Sequence, residues 1–193
     1  MSTFNLEKQL TFYGAYHHNG VNIAIHMACV PLILATFFTL ATNTGPLFHV
    51  PQWLSVPYLS PNLGTFFAFL WGGLYVLLEP VAGTALAVLC VASAAIGNQL
   101  RLANPTQTNQ WALGLHIVSW LLQFVGHGKF EGRAPALLDN LFQAIFLAPL
   151  FVWLELLFML GYRPELKARV DKAVAIEVEK FRSKKALKNG KAQ

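Results

Sequence analysis

Apolar residues run along this chain in five long blocks, and the block lengths match membrane-crossing helices, which need about 20 mostly apolar residues. The blocks are Val21 to Ala41, Leu63 to Leu78, Val81 to Gly97, Trp111 to Val125, and Leu137 to Leu160 with Pro149 inside it. The second and third meet at Glu79-Pro80 and read as a hairpin. Gly72-Gly73 and the small residues of Ala82 to Gly97 suit close helix packing. Phe4 to Tyr16 and Glu165 to Leu187 instead mix apolar and polar positions, which predicts interfacial amphipathic helices at the two ends. Thr42 to Asn62 is a connector with Pro46, Pro51, Pro57 and Pro61, and its Phe48, Trp53 and Tyr58 suit a membrane interface.

The pattern predicts an all-α fold. It is a polytopic membrane helix bundle of four to five membrane segments, the fifth a candidate re-entrant hairpin, plus interfacial N- and C-terminal amphipathic helices. Residues 1–162 form the membrane-embedded domain and residues 163–193 a basic amphipathic tail.

Composition sharpens this reading. The chain is 55% hydrophobic and 12% charged, against about 25% charged for an ordinary soluble domain. Between Gly20 and Gly128 only Glu79 and Arg101 carry a formal charge. The tail from Arg163 to Gln193 holds ten Lys/Arg and four Asp/Glu, a net +6. That asymmetry suits an anionic, cytosolic membrane surface and makes the lipid bilayer the expected partner. No nucleic-acid partner is expected, since no groove-reading module accompanies the basic residues. Cys29 and Cys90 lie in apolar runs and read as small core residues. The stretch Met1 to Gln9 is polar, so no cleavable leader is expected there and the first apolar block serves as the insertion signal.

The candidate chemistry lies in the histidines. Counting spans puts His17-His18, His127 and Glu131 on one side of the bilayer. Five complete crossings would leave the basic tail opposite them, whereas a break at Pro149 would return it to their side. An ionisable residue at membrane depth is a functional candidate by default. Singly, each histidine also fits a neutral, hydrogen-bonded core imidazole. Together, His17, His26, His116 and His127 favour a metal site, because neutral imidazole is the commonest metal ligand. His17 and His26 differ by nine positions, about 180° on one helix. A break at Asn19-Gly20 would let them converge. His116 and His127 share a stripe with Trp120 and Gln123, but lie roughly 16 Å apart along an unbroken helix.

The stretch His127-Gly128-Lys129-Phe130-Glu131-Gly132-Arg133 is the densest polar segment near the spans. Glu131 can act as ligand, orienting partner or base, and Lys129 or Arg133 can hold a carboxylate. The same stretch also reads as an ordinary charged loop. No HExxH, GxSxG or P-loop occurs, which argues against zincin, serine-hydrolase and nucleotide chemistry. A metal or proton transporter and a membrane-organising adaptor are the alternatives.

Two signatures point further. Tyr13-x-x-Tyr16-His17-x-Asn19-x-x-Asn22-x-x-x-His26 is followed by Val30-Pro31-Leu32. Trp120-x-x-Gln123-Phe124-x-Gly126-His127-x-x-Phe130-Glu131-x-Arg133-x-Pro135 forms the second, and Ala148-Pro149-x-Phe151 continues it. The chain resembles the 2-hydroxy fatty acid dioxygenases of the endoplasmic reticulum, which act in phytosphingosine breakdown. Gly20 stands where that pattern has proline. The resemblance implies a multi-pass endoplasmic reticulum protein that uses Fe(II) and O2 to shorten a 2-hydroxy fatty acid by one carbon, releasing CO2. It implies His17, His26, His116 and His127 as iron ligands; Glu131 and His18 are the candidate catalytic groups, and Arg133, Lys129 and Asn22 the candidate substrate-binding residues.

Overall fold

The computed structural model describes residues 5–132 and 143–190, and every regular element among them is helical. In chain order these are α1 (Leu6–Tyr16), α2 (Gly20–Ala41), α3 (Leu63–Leu78), α4 (Pro80–Ala103), α5 (Pro105–Val125), α6 (Ala148–Met159) and α7 (Pro164–Gly190). Short 3-10 turns occupy Thr42–Thr44 and Gln52–Leu54 in the connector. Wider π-turns, Gly126–Glu131 and Gln143–Leu147, follow α5 and precede α6.

Asparagine sets the helix starts. The side chains of Asn5, Asn19, Asn62 and Asn104 each accept a first-turn N–H, of α1, α2, α3 and α5 respectively. Pro80 and Pro105 sit in the first turns of α4 and α5, where a missing N–H removes no helical bond. Gly20 occupies the first position of α2, a place that proline fills equally well.

Glycines bring the helices into backbone contact. A Cβ on Gly83 would stand 2.1 Å from the Tyr75 carbonyl oxygen, so the α3–α4 hairpin closes only around that glycine. Across it lies α2, where a Cβ on Gly64 would stand 2.3 Å from the Phe38 carbonyl oxygen and one on Gly97 2.6 Å from Thr39 Oγ1. Phe38, Tyr75, Leu150 and Leu154 are fully enclosed between these elements. One buried polar cluster ties the far end: Asn62 Nδ2 donates to Asn98 Oδ1 at 2.7 Å, and Asn98 Nδ2 donates to Thr65 Oγ1 at 3.2 Å.

Among the described residues, two helices are long and apolar enough to cross a membrane, Gly20–Thr44 including its terminal turn and Pro80–Ala103, with mean hydropathies of 2.1 and 1.9. Ile145–Met159 and Pro164–Lys184 together make a third candidate, bent by 117°. At 16 residues α3 is apolar but short for a span. The start of the fifth predicted segment, 137–142, lies outside the described residues. Within the described part, Pro149 sits harmlessly in the first turn of α6, and the sharp reversal comes at 160–163.

That reversal places the tail helix. It lies against α1: Val174 Cγ2 would be 2.6 Å from a Cβ on Gly14, and Arg169 Nε donates to Glu7 Oε2 at 3.1 Å. The two amphipathic helices thus bury their apolar faces partly against each other. Leu166 and Val170 of α7 also join the main core. The basic tail is therefore on the same side as the α1–α2 turn.

Candidate metal centre

The histidine site begins at the α1–α2 turn. Tyr16 ends α1 and Asn19 caps α2, so the helix is interrupted between His17 and His26. The interruption removes the 180° separation that one straight helix would impose. His127 arrives from the other direction, on the π-turn that continues α5. Such widened turns often occur at functional sites. Gly126 lets this turn approach α2, because a Cβ there would stand 2.4 Å from Asn22 Oδ1.

The three rings meet edge to face. Centroid separations are 4.4 Å for His17–His26, 4.8 Å for His17–His127 and 4.9 Å for His26–His127. One nitrogen from each lies within 4.8 Å of the others, and all three residues are buried. The tautomers of two are fixed by the backbone. His17 Nδ1–H donates to the Tyr13 carbonyl and His26 Nδ1–H to the Asn22 carbonyl, both at 2.9 Å. A carbonyl only accepts, so each Nδ1 carries the proton and each Nε2 keeps its lone pair. Burial, reinforced by the neighbouring His26, holds His17 well below the ordinary histidine pKa of 6.5, and therefore neutral. Tyr13 stacks on the His17 ring at 3.9 Å and fixes its plane. Three clustered imidazoles, two of them oriented by backbone carbonyls, suit a divalent transition metal, with coordination positions left for other ligands.

Glu131 supports the cluster from behind. Its buried carboxylate accepts the backbone N–H of His18 and of Asn19, each at 3.2 Å, and the Asn22 side-chain amide at 2.9 Å. It also pairs with His18 Nδ1. One carboxylate thus pins the turn that carries His17 and the residue whose carbonyl orients His26.

The other predicted site residues lie apart from the three rings. His116 lines the same cavity, but both its nitrogens are engaged. Trp120 Nε1 donates to its Nε2 at 3.0 Å, and its Nδ1–H faces Thr36 Oγ1 at 2.8 Å. Those bonds occupy the lone pair a metal would need. The His18 side chain is about a third exposed and turned towards Glu131. Asn22 is fully buried between Glu131 and Gly126. Lys129 is exposed, with its ammonium over the Phe130 ring. Arg133 lies outside the described residues.

An apolar cavity opens from the three histidines and runs along α2 past Val30 and Leu34 to Phe37 and Trp71. His26 and Phe37 are eleven residues apart, so the cavity follows α2 for roughly 16 Å. Phe146 stacks on Trp71 at 4.2 Å at that far end. Sequence reasoning missed this cavity and the Thr36 partner of His116. The signal available was the spacing of His116, Trp120, Gln123 and His127 on α5, which puts all four along one face.

Residues 3–160 match the family described as 2-hydroxy-palmitic acid dioxygenase Mpo1-like. The chain is 38% identical over 178 residues to the Saccharomyces cerevisiae protein named 2-hydroxy-palmitic acid dioxygenase MPO1, covering 92% of this chain and 94% of the yeast protein. No solved structure matches it. With well over half of the chain covered on both counts, this chain belongs to the Mpo1-like family of 2-hydroxy-palmitic acid dioxygenases, a family of oxidoreductases.

Proposed function

We propose that this protein is an Fe(II)-dependent dioxygenase that converts a long-chain 2-hydroxy fatty acid to the fatty acid one carbon shorter. The observation that carries the reading is the cluster of three buried histidines, two of them with tautomers fixed by the backbone, at the head of a long apolar cavity. The reaction balances without a further reductant: RCH(OH)COOH plus O2 gives RCOOH, CO2 and H2O. The substrate supplies all four electrons that O2 accepts.

His17, His26 and His127 would hold the iron, with Nε2 of His17 and of His26 as donor atoms. Bound iron would supply a centre at which a 2-hydroxy acid chelates and O2 is activated. The protein's own residues do the positioning. Val30, Leu34, Phe37 and Trp71 receive the acyl chain and keep water from it. His116 closes the wall as a neutral hydrogen-bonded group, and Glu131 with Asn22 keeps the ligand rings in place.

The outer faces fit a bilayer. Phe66, Val88 and Leu121 are more than half exposed on α3, α4 and α5, as expected of lipid-facing positions. We assign the chain to the endoplasmic reticulum membrane as a multi-pass protein. The histidine cluster and the basic tail lie at the same end, which would face the cytosol.

The test is incubation of purified protein with 2-hydroxyhexadecanoic acid under O2, with and without Fe(II). Pentadecanoic acid and CO2 in equal amounts, dependent on Fe(II), are expected. A 2-oxo acid of unchanged length, or equal turnover after complete metal removal, would overturn the assignment.

A further inference from the structure

Three neutral imidazoles leave a divalent ion with both its charges. A carboxylate at such an ion needs no cation from the protein. It needs a hydrogen-bond donor for the oxygen that the ion does not take. Among the described residues no lysine or arginine lines the cavity, and Lys129 is exposed.

The polar stripe of α5 supplies one candidate donor. His116, Trp120, Gln123 and His127 follow one another at spacings of four, three and four, and all line the cavity. The Trp120 N–H is engaged by His116 Nε2, and His116 Nδ1–H by Thr36. Gln123 differs. It is 6% exposed, and its Nε2 is buried without a hydrogen-bond partner. A buried amide left without an acceptor is destabilising and rare in folded proteins. This one stands a single helical turn before His127, on the same face.

We propose that Gln123 is the carboxylate-binding residue of this site, donating an Nε2–H to one carboxylate oxygen of the 2-hydroxy acid. This rests on the metal-dependent activity proposed above. The second carboxylate oxygen and the 2-hydroxyl would then be free for an ion that His17, His26 and His127 would hold. The acyl chain leaves in the opposite direction, along α2 towards Phe37. A substrate oxygen completes the hydrogen bonding that the fold leaves open at Gln123, so the same contact binds the acid and selects its polar end.

The experiment uses the full-length protein in detergent, loaded with Co(II) under argon and titrated with 2-hydroxyhexadecanoate while the visible cobalt spectrum is followed. Gln123→Leu and Gln123→Glu are compared with wild type. Both variants should bind cobalt at wild-type stoichiometry. Gln123→Leu should bind the acid about tenfold more weakly, the effect of one charge-assisted hydrogen bond. Gln123→Glu should bind it more than about a hundredfold more weakly, through carboxylate–carboxylate repulsion. With 2-hydroxyhexadecanamide, which presents an N–H where the acid presents an oxygen, Gln123→Glu should regain affinity and Gln123→Leu should not. Wild-type affinity for the acid in both variants, or loss of cobalt from both, would overturn the assignment. Failure of wild type itself to bind cobalt would instead remove the metal-centre reading, and this contact with it.

Discussion

Glu131 and Asn22, 109 positions apart in the chain, meet at 2.9 Å across the junction of α2 and the π-turn after α5. Around that contact the same carboxylate accepts two further backbone N–H groups from the α1–α2 turn. Glu131→Ala should therefore leave these three N–H donors without their acceptor, remove the His18 Nδ1 contact, and loosen both His17 and His26. Loss of such a supporting contact typically lowers metal affinity by about 10- to 100-fold. Glu131→Gln keeps one acceptor oxygen and should lose less. Metal titration of the purified variants measures this, with circular dichroism as the folding control. Unchanged affinity in Glu131→Ala would mean that the turn holds its shape without the carboxylate.

The contrast between His127 and His116 makes a second prediction. His127→Ala removes one of three clustered rings and should abolish activity and reduce bound metal well below one equivalent. His116→Ala should retain the metal, because both its nitrogens already serve Trp120 and Thr36. Its effect should appear as lost stability of about 1–3 kcal/mol, from the Trp120 N–H left without its acceptor, while the Thr36 hydroxyl keeps its bond to the Leu32 carbonyl. Elemental analysis beside thermal unfolding separates the two outcomes. Equal metal loss in both variants would restore His116 to the ligand set.

Much of this was legible in the sequence for physical reasons. Long apolar blocks give helices, and an Asn-Gly pair between two histidines marks the break that lets them converge. What stayed hidden depends on packing between distant elements. His116 is a candidate ligand in the sequence as one of four histidines in or beside the spans; Trp120 on its own helix takes its lone pair, and only the arrival of Thr36 from α2 accounts for its proton. For Glu131 the sequence allows ligand, orienting partner or base, and nothing in its neighbourhood reveals that the α1–α2 turn folds onto its carboxylate. The cavity lies between helices and has no local signature. The position of α7 depends on a bend at 160–163, where Gly161 and Arg163 take positive φ.

Glu79 carries a third prediction. It is 5% exposed at the α3–α4 turn, where it accepts the Tyr162 hydroxyl at 2.8 Å and pairs with the half-exposed Arg163. These contacts tie the central hairpin to the reversal before α7. Glu79→Ala should destabilise the protein by about 1–3 kcal/mol, less than for a fully buried pair because Arg163 can turn to water. It should also free α7, read as faster proteolysis within the tail. Glu79→Gln retains an acceptor for Tyr162 and should lie between the two. Wild-type protease resistance in Glu79→Ala would show that α7 is held by its packing on α1 and the core without the Glu79 contacts.

Two glycines ten residues apart give the most direct test of the packing. A Cβ on Gly83 would stand 2.1 Å from the Tyr75 carbonyl oxygen, a backbone atom that cannot rotate away. Nothing lies within 4 Å of a Cβ on Gly73. Gly73→Ala should fold normally and gain slightly from the higher helix propensity of alanine, up to about 1 kcal/mol. Gly83→Ala must push α3 and α4 apart. That movement displaces Ala82, whose carbonyl accepts the Trp153 N–H at 2.9 Å, and so disturbs α6 as well. Overpacking of this kind costs about 1–3 kcal/mol, so the thermal midpoint should fall in Gly83→Ala and hold or rise in Gly73→Ala. The same midpoint for both would mean that the α3–α4 hairpin does not close around Gly83.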